Sequence, residues 1–321
     1  MASLRNKTLN NPLALALANC LARWTGAGQS LVVAYSGGMD STVLLHVLKH
    51  MATDIHLHVS AMHVNHGLSP HAQSWAEHCA NTCAEWDIPL QSQRLELGNP
   101  SGEGLEALAR KARLNALEAH PADWILMAHH ADDQAETVLH NLLRGTGPRG
   151  AAGIPERRGR LLRPWLALPR NALLMYARMQ RLSWIEDESN ADRRYTRNYL
   201  RHEVMPVLEQ RFPRATEQLA AAARRFGEAQ ELLDQLALID LQSVRPEFPI
   251  AVELLRALSQ TRAQNALRTL LSLQQVQLPD DVRLREFVRQ LQAAASDRHP
   301  SLETGKYRVF VKARMLHFVR R

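Results

Sequence analysis

The 321-residue sequence predicts an α/β fold, a doubly wound and mostly parallel sheet followed by a second, smaller, mostly α-helical C-terminal domain. Short apolar runs alternate with helix-period segments through the first 150 residues, which is the signature of repeated strand–helix units. Polar clusters fall at the ends of three of these runs, where ligands bind in such sheets. Beyond Pro213 the pattern changes to helices closed by one hairpin.

Taken in order, the first element is a helix. Arg5 and Lys7 precede an apolar stretch, Pro12 to Ala22, that superficially resembles a secretion signal. Leu13, Leu17, Leu21 and Trp24 nevertheless fall at helical spacing, and Asn19 and Arg23 interrupt the stretch. Leu31 to Tyr35 reads as a buried strand ending at Ser36-Gly37-Gly38, and Val43 to His50 as a helix. Ile55 to His63 alternates as a second strand, His71 to Glu85 is helical, and Leu90 to Leu97 is strand-like. Gly104 to Ala119 reads as a helix, Trp124 to Ala128 as a buried strand, and Asp132 to Leu143 as a helix. Gly145 to Gly159, rich in Gly, Pro and Arg, reads as a long mobile loop. Pro169 to Leu182 is helical, and Ser189 to Phe212 is dense in arginine and aromatic residues. Helices over about 215–241, 251–274 and 281–295 precede a hairpin of Tyr307–Val311 and Met315–Val319. The domains are expected at 1–213 and 214–321.

Composition narrows the classes. With 45% hydrophobic and 22% charged residues the chain is neither disordered nor collagen-like. No apolar run reaches the roughly 20 residues of a membrane helix, so no membrane partner is expected. Three cysteines, Cys20, Cys79 and Cys83, make no disulfide framework, and a reducing, cytoplasmic setting is the expectation. Charge is unevenly divided: residues 1–150 hold 10 Lys+Arg against 13 Asp+Glu, and residues 151–321 hold 29 against 19. Of the 39 basic residues only five are lysines. A near-neutral front half with an arginine-rich back half suits a catalytic unit joined to a polyanion-binding surface.

The motif Ser36-Gly37-Gly38-Met39-Asp40-Ser41-Thr42 sits between a strand and a helix. Its glycines permit close backbone approach, and its hydroxyls and the free N–H groups of a helix start suit phosphate oxygens. It lacks the Gly-Lys-Ser/Thr ending of the kinase-type phosphate loop. Asp132, Asp133 and Glu136 open a later helix, spaced so that two carboxylates share a face. His63, His66, His129 and His130 with these acids invite a dinuclear-metal reading, but the H-x-H-x-D-H pattern is missing. Cys79 and Cys83 lie four apart in an amphipathic helix, as core residues do.

The loop SGGMDS resembles that of the ATP pyrophosphatases. Four further blocks, His63-Val64-Asn65-His66-Gly67-Leu68, Ala128 to Thr137 (AHHADDQAET) with Arg144-Gly145-Thr146-Gly147, Trp184 to Asn190 (WIEDESN) and Arg197-Asn198-Tyr199-Leu200-Arg201, make residues 28–213 similar to the tRNA(Ile)-lysidine synthetase family. The resemblance implies a ligase that uses ATP and Mg²⁺ to adenylylate the C2 oxygen of the wobble cytidine of a CAU-anticodon isoleucine tRNA. Free L-lysine then displaces AMP to form lysidine, which changes the tRNA from Met/AUG to Ile/AUA. A lysine amine is only about 0.04% neutral at pH 7, equivalent to roughly 4.6 kcal/mol, so a group must take its proton or burial must lower its pKa. The resemblance gives Ser36, Gly37, Gly38, Met39, Asp40, Ser41, His63 and His129 to ATP, and Asp133 and Glu136 to lysine. Asp40 and Arg110 are the implied catalytic residues, Asp40 either as base or as the carboxylate organising Mg²⁺. Arg113, Arg194, Arg197 and Arg201 are the implied tRNA contacts, with Tyr195 and Tyr199 interleaved for stacking. A homodimer is left open. The alternatives are a tRNA thiolase on the same loop, or a non-catalytic RNA-binding protein with a degenerate ATP site. Pro148 stands where the family has a leucine, so the loop's packing is expected to differ, and longer relatives are expected to carry a further C-terminal module.

Overall fold

The computed structural model describes residues 11–65, 67, 69–95, 105–188, 192–293 and 299–321. His66, Leu68, the end of the strand read to Leu97, the turn Ser101–Gly104, and Ser189 and Asn190 of WIEDESN lie outside the described residues. The chain divides into two compact units, Met1–Phe226 and Gly227–Arg321. That division falls inside the helix Ala215–Asp240, whereas the sequence pattern changes at Pro213.

The first unit is built on a six-stranded sheet of order β3-β2-β1-β4-β6-β5: β1 Ser30–Ala34, β2 His58–Asn65, β3 Leu90–Arg94, β4 Trp124–Leu126, β5 Arg157–Arg158 and β6 Leu161–Leu162. All pairings are parallel except that of β5 with β6. Side chains alternate across the sheet. Leu31, Val33, Ala61 and Leu126 join the core on one face; Val32, Met62 and Ile125 join that on the other. Burial on both faces is why these strands read as continuous apolar runs.

The first face is covered by α1 Pro12–Trp24, α2 Met39–Ile55, α3 Ala72–Glu85 and, after the next helices in the chain, Arg170–Met179. Leu13, Leu17 and Leu21 of α1 are buried at helical spacing, and the Asn11 side chain caps Leu13 N at 2.9 Å with Pro12 in the first turn. Trp165, fully buried, donates from Nε1 to the Leu13 carbonyl at 3.0 Å and ties α1 to the sheet. The second face carries α4 Leu105–Glu118, whose Ala116 and Leu117 fill it. Then come α5 Ala131–Leu143, α6 Pro148–Ala151 and α7 Arg170–Met179. α8 Thr196–Tyr199 runs through a π-helical turn, Leu200–Val204, into α9 Met205–Arg211.

Residues 145–159 are not the mobile loop the composition predicts. They hold α6 and β5, and side-chain amides of α5 pin them: Gln134 donates to Ile154 O at 3.0 Å and accepts from Ile154 N at 2.6 Å, while Asn141 donates to Gly150 O at 2.8 Å. These bonds satisfy backbone groups that composition alone assigned to solvent.

The second unit combines helices with more sheet than the expected hairpin. After α10 Ala215–Asp240 come α11 Val252–Arg256, α12 Gln260–Leu273 and α13 Asp281–Ala293, packed on an antiparallel sheet of order β7-β10-β9-β8 (β7 Ile250–Ala251, β8 Ser301–Glu303, β9 Tyr307–Lys312, β10 Met315–Arg320). The helix predicted over 251–274 is two, broken where Ser259 turns extended at the start of α12. Among the described residues no helix is long and apolar enough to cross a membrane.

Candidate active site

The strand order reverses between β1 and β4, and the crevice outside their carboxyl ends is where such sheets take ligands. The loop Ser36–Ser41 leaves β1 there. Ser41 Oγ donates to Gly38 O at 3.0 Å and lies 3.0 Å from Ser36 Oγ, which accepts from Gly38 N at 3.3 Å. Gly37 has φ +81°, and a Cβ there would meet Ile185 Cδ1 at 2.6 Å and Cys79 Sγ at 2.9 Å. Ile185 N donates to Gly37 O at 2.9 Å, and Ile185 bridges Gly38 in parallel, so the chain at Ile185 is docked on this loop. Gly37→Ala is expected to destabilise the fold by about 1–3 kcal/mol through backbone strain and overpacking, read as a lower denaturant midpoint. An unchanged midpoint would contradict the packing described.

Behind the loop, His63 is buried and donates from Nδ1 to Tyr35 O at 3.0 Å, with Cys79 Sγ 3.4 Å away. Burial raises the thiols of Cys79 and Cys83 to about 12 and 11, so they are inert packing residues of α3.

Two adjoining cavities open at this edge. The smaller, about 160 Å³, is lined by Ala34, Met62, Val64, Leu117, Met127 and, at its polar end, Ser36, Asp40, Ser41, Arg113, His129 and Asp133. The larger, about 600 Å³, shares Ser36, Asp40, Ser41 and Arg113 and adds Gly38, Met39, His63, Arg170, Glu186–Glu188 and Arg201. Among the described residues no group of three or more His, Cys, Asp and Glu is arranged to hold a metal ion.

The start of α5 carries the acids. Asp133 Oδ2 accepts from His130 N at 3.0 Å, reaching back to cap the helix, and Asp132 Oδ2 accepts from Arg170 N at 2.8 Å. His130 is buried among carboxylates, its Nε2 3.4 Å from Asp133 Oδ2 and 3.6 Å from Asp40 Oδ2, its Nδ1 3.4 Å from Asp132 Oδ2. Burial opposes its charge, but the nearby carboxylates of Asp132, Asp40 and Asp133 outweigh burial and lift it to about 10. The three acids around it favour its charged form. His129 behaves oppositely: burial lowers it to about 3 against the pull of Asp133, and the charges of Arg163, Arg110 and Arg113 add to the lowering.

Glu136 is buried and receives Arg201 in a bidentate pair, Nε to Oε1 at 2.6 Å and Nη2 to Oε2 at 3.0 Å. The same Nη2 donates to Asp133 Oδ1 at 3.1 Å. Burial raises the Glu136 carboxyl despite this pairing, while Asp133 is held low against burial by His130 and His129. The structure therefore brings Arg201 onto Asp133 and Glu136, a contact between residues 65 apart in sequence that no local pattern announces. Arg197 reaches Thr137 Oγ1 at 3.4 Å, Arg194 is exposed and paired with Asp192 at 2.7 Å, and Tyr195 and Tyr199 are exposed nearby in the chain. Arg110 is exposed and Arg113 half-buried.

A phosphate-suited loop at the switch point of a doubly wound sheet, fronting one crevice with a carboxylate cluster, defines a PP-loop ATP-binding protein. Residues 9–208 match the PP-loop domain family, and residues 251–320 match the TilS substrate binding domain. The chain belongs to the tRNA(Ile)-lysidine synthase family. It is 42% identical over 279 residues to the tRNA(Ile)-lysidine synthase of Nitrosomonas europaea (85% of this chain, 61% of that one). It is 45% identical over 283 residues to that of Alkalilimnicola ehrlichii (86% and 64%), and 42% identical over 317 residues to that of Pseudomonas aeruginosa (92% and 71%). The chain thus spans 61% and 64% of the length of the first two. The fold is also that of the U34-tRNA thiolase NcsA from Methanococcus maripaludis, with a TM-score of 0.56 at 18% identity over 67% of this chain and 78% of that one.

Proposed function

We propose that this chain joins free L-lysine to C2 of the wobble cytidine of a CAU-anticodon isoleucine tRNA, consuming ATP and releasing AMP and pyrophosphate in the cytoplasm. The observation that carries the reading is the proximity of the two chemistries. The Ser36–Ser41 loop and Asp133 line one cavity, and Asp133 with Glu136 already grips a guanidinium, the charge type a lysine ammonium presents. Relatives named for this reaction support it. In this reading residues 1–213 form the catalytic domain and 214–321 the tRNA-binding domain.

In the first step the C2 oxygen attacks the α-phosphorus of ATP and pyrophosphate leaves. The loop hydroxyls and N–H groups hold the phosphates, Arg110 and Arg113 offset the growing charge, and the apolar lining from Ala34 to Leu117 receives the adenine. Asp40 fits a Mg²⁺ ion, since its Oδ1 is a buried hard oxygen with no hydrogen-bond partner, the phosphates completing the coordination. Bound there, Mg²⁺ supplies neutralisation of phosphate charge. In the second step the lysine amine attacks C2 and AMP leaves with the former carbonyl oxygen. Asp133 and Glu136 orient the ammonium, Arg201 giving way to it, and Asp40 has one of two roles, holding the ion or taking the amine's proton. Arg194 and Arg197 meet tRNA phosphates, with Tyr195 and Tyr199 beside them in the chain.

The test is incubation of the protein with CAU-anticodon isoleucine tRNA, ATP and labelled lysine. One lysine per tRNA is expected, with AMP and pyrophosphate formed in equal amounts. RNA that stays unlabelled with demonstrably folded protein overturns the reading.

A further inference from the structure

Arg163 is 6% exposed, and Nη1 donates to the Pro155 carbonyl at 2.8 Å while Nε has no partner. Among the described residues no carboxylate pairs with it. Burial, with the charges of Arg158 and Arg110, depresses its pKa to about 10, so its charged neighbours repel it. A guanidinium taken out of water without an anion is strongly unfavourable, and a neutral side chain would fill the place at less cost. The ladder shows what it faces. Leu126 pairs with Leu162 and His130 bridges Trp165, so Arg163 lies beside the segment Met127–His129. In that segment His129 Nδ1 is also buried without a partner, and His129 and Arg113 line the smaller cavity. The carboxylate acting on His129 is Asp133, already committed to His130 and Arg201.

We propose that Arg163, with Arg113 and Nδ1 of His129, forms an anion subsite for a phosphate group at the carboxyl edge of β4 and β6. The subsite deepens the function proposed above and rests on it for the source of the phosphate, which is either the pyrophosphate of ATP or the RNA backbone.

Wild type and Arg163→Gln are titrated with inorganic pyrophosphate, with a CAU anticodon stem-loop RNA, and with AMP. At least tenfold weaker binding of one of the first two probes is expected, with AMP affinity within twofold. Loss for pyrophosphate assigns the subsite to the nucleotide, and loss for the RNA assigns it to the backbone. The ligand-free variant is expected to melt no lower than wild type, because an uncompensated buried charge has been removed. Affinities for both probes within twofold of wild type overturn the subsite, whatever the melting temperature. Should the Gln variant not fold, Arg163→Lys keeps the charge, loses the planar fork and is read by the same titrations and the same thresholds. A wild type that binds neither AMP nor ATP would instead sink the functional reading itself.

Discussion

Asp40→Asn is expected to lower lysidine-forming turnover by roughly 10²–10⁴-fold, the range a positioned acid or base contributes, while tRNA affinity stays within a few-fold. The substitution is isosteric, so the cavity keeps its shape. What changes is charge and basicity: Oδ1, buried and without a hydrogen-bond partner, loses its anionic character, and His130 loses one of the three carboxylates around it. Asp40 also lies 3.8 Å from Arg170 Nε, a contact of half-exposed groups that contributes little stability. Turnover and tRNA retention are measured side by side on folded protein. Loss of folding in the Asn variant would make Asp40 a structural residue, and wild-type turnover would remove it from the chemistry.

Glu136→Gln is expected to raise the lysine concentration for half-maximal rate at least tenfold, while lysine-independent pyrophosphate release in the presence of tRNA is kept. Breaking a buried charged pair costs about 2–5 kcal/mol, and each 1.4 kcal/mol is tenfold in affinity, so the shift is within easy reach of a titration. The two half-reactions separate the roles, because only the second needs the ammonium held. Equal lysine dependence in the variant and wild type would show that Arg201, not lysine, is the proper occupant of Glu136. Loss of both half-reactions would place Glu136 in the adenylylation step.

Much of this site was legible because its parts are local. The loop SGGMDS declares itself by its two glycines and by its place after Leu31–Val33, a run buried on both faces. Asp133 and Glu136 declare themselves by helical spacing. Illegible parts are those made by distant segments. β6 is only Leu161–Leu162 between arginines, too short to leave a period, yet it adds a parallel strand to the sheet and sets Arg163 beside the segment Met127–His129. The pairing of Arg201 with Glu136 and the docking of Ile185 on Gly37 depend on chain reversals that no local pattern encodes. Arginine's usual preference for solvent likewise concealed Arg163, one among many arginines of the back half. The edge strands β7 and β8 are two and three residues long and have no turn signal of their own.

The wide turn at Leu200–Val204 has a consequence for how specificity can drift in relatives of this chain. A π turn accommodates an additional residue relative to regular winding, so its loss would advance everything behind it by about 100° around the axis. A single-codon deletion there could therefore change which cation the buried acids greet while leaving every catalytic side chain spelled as before.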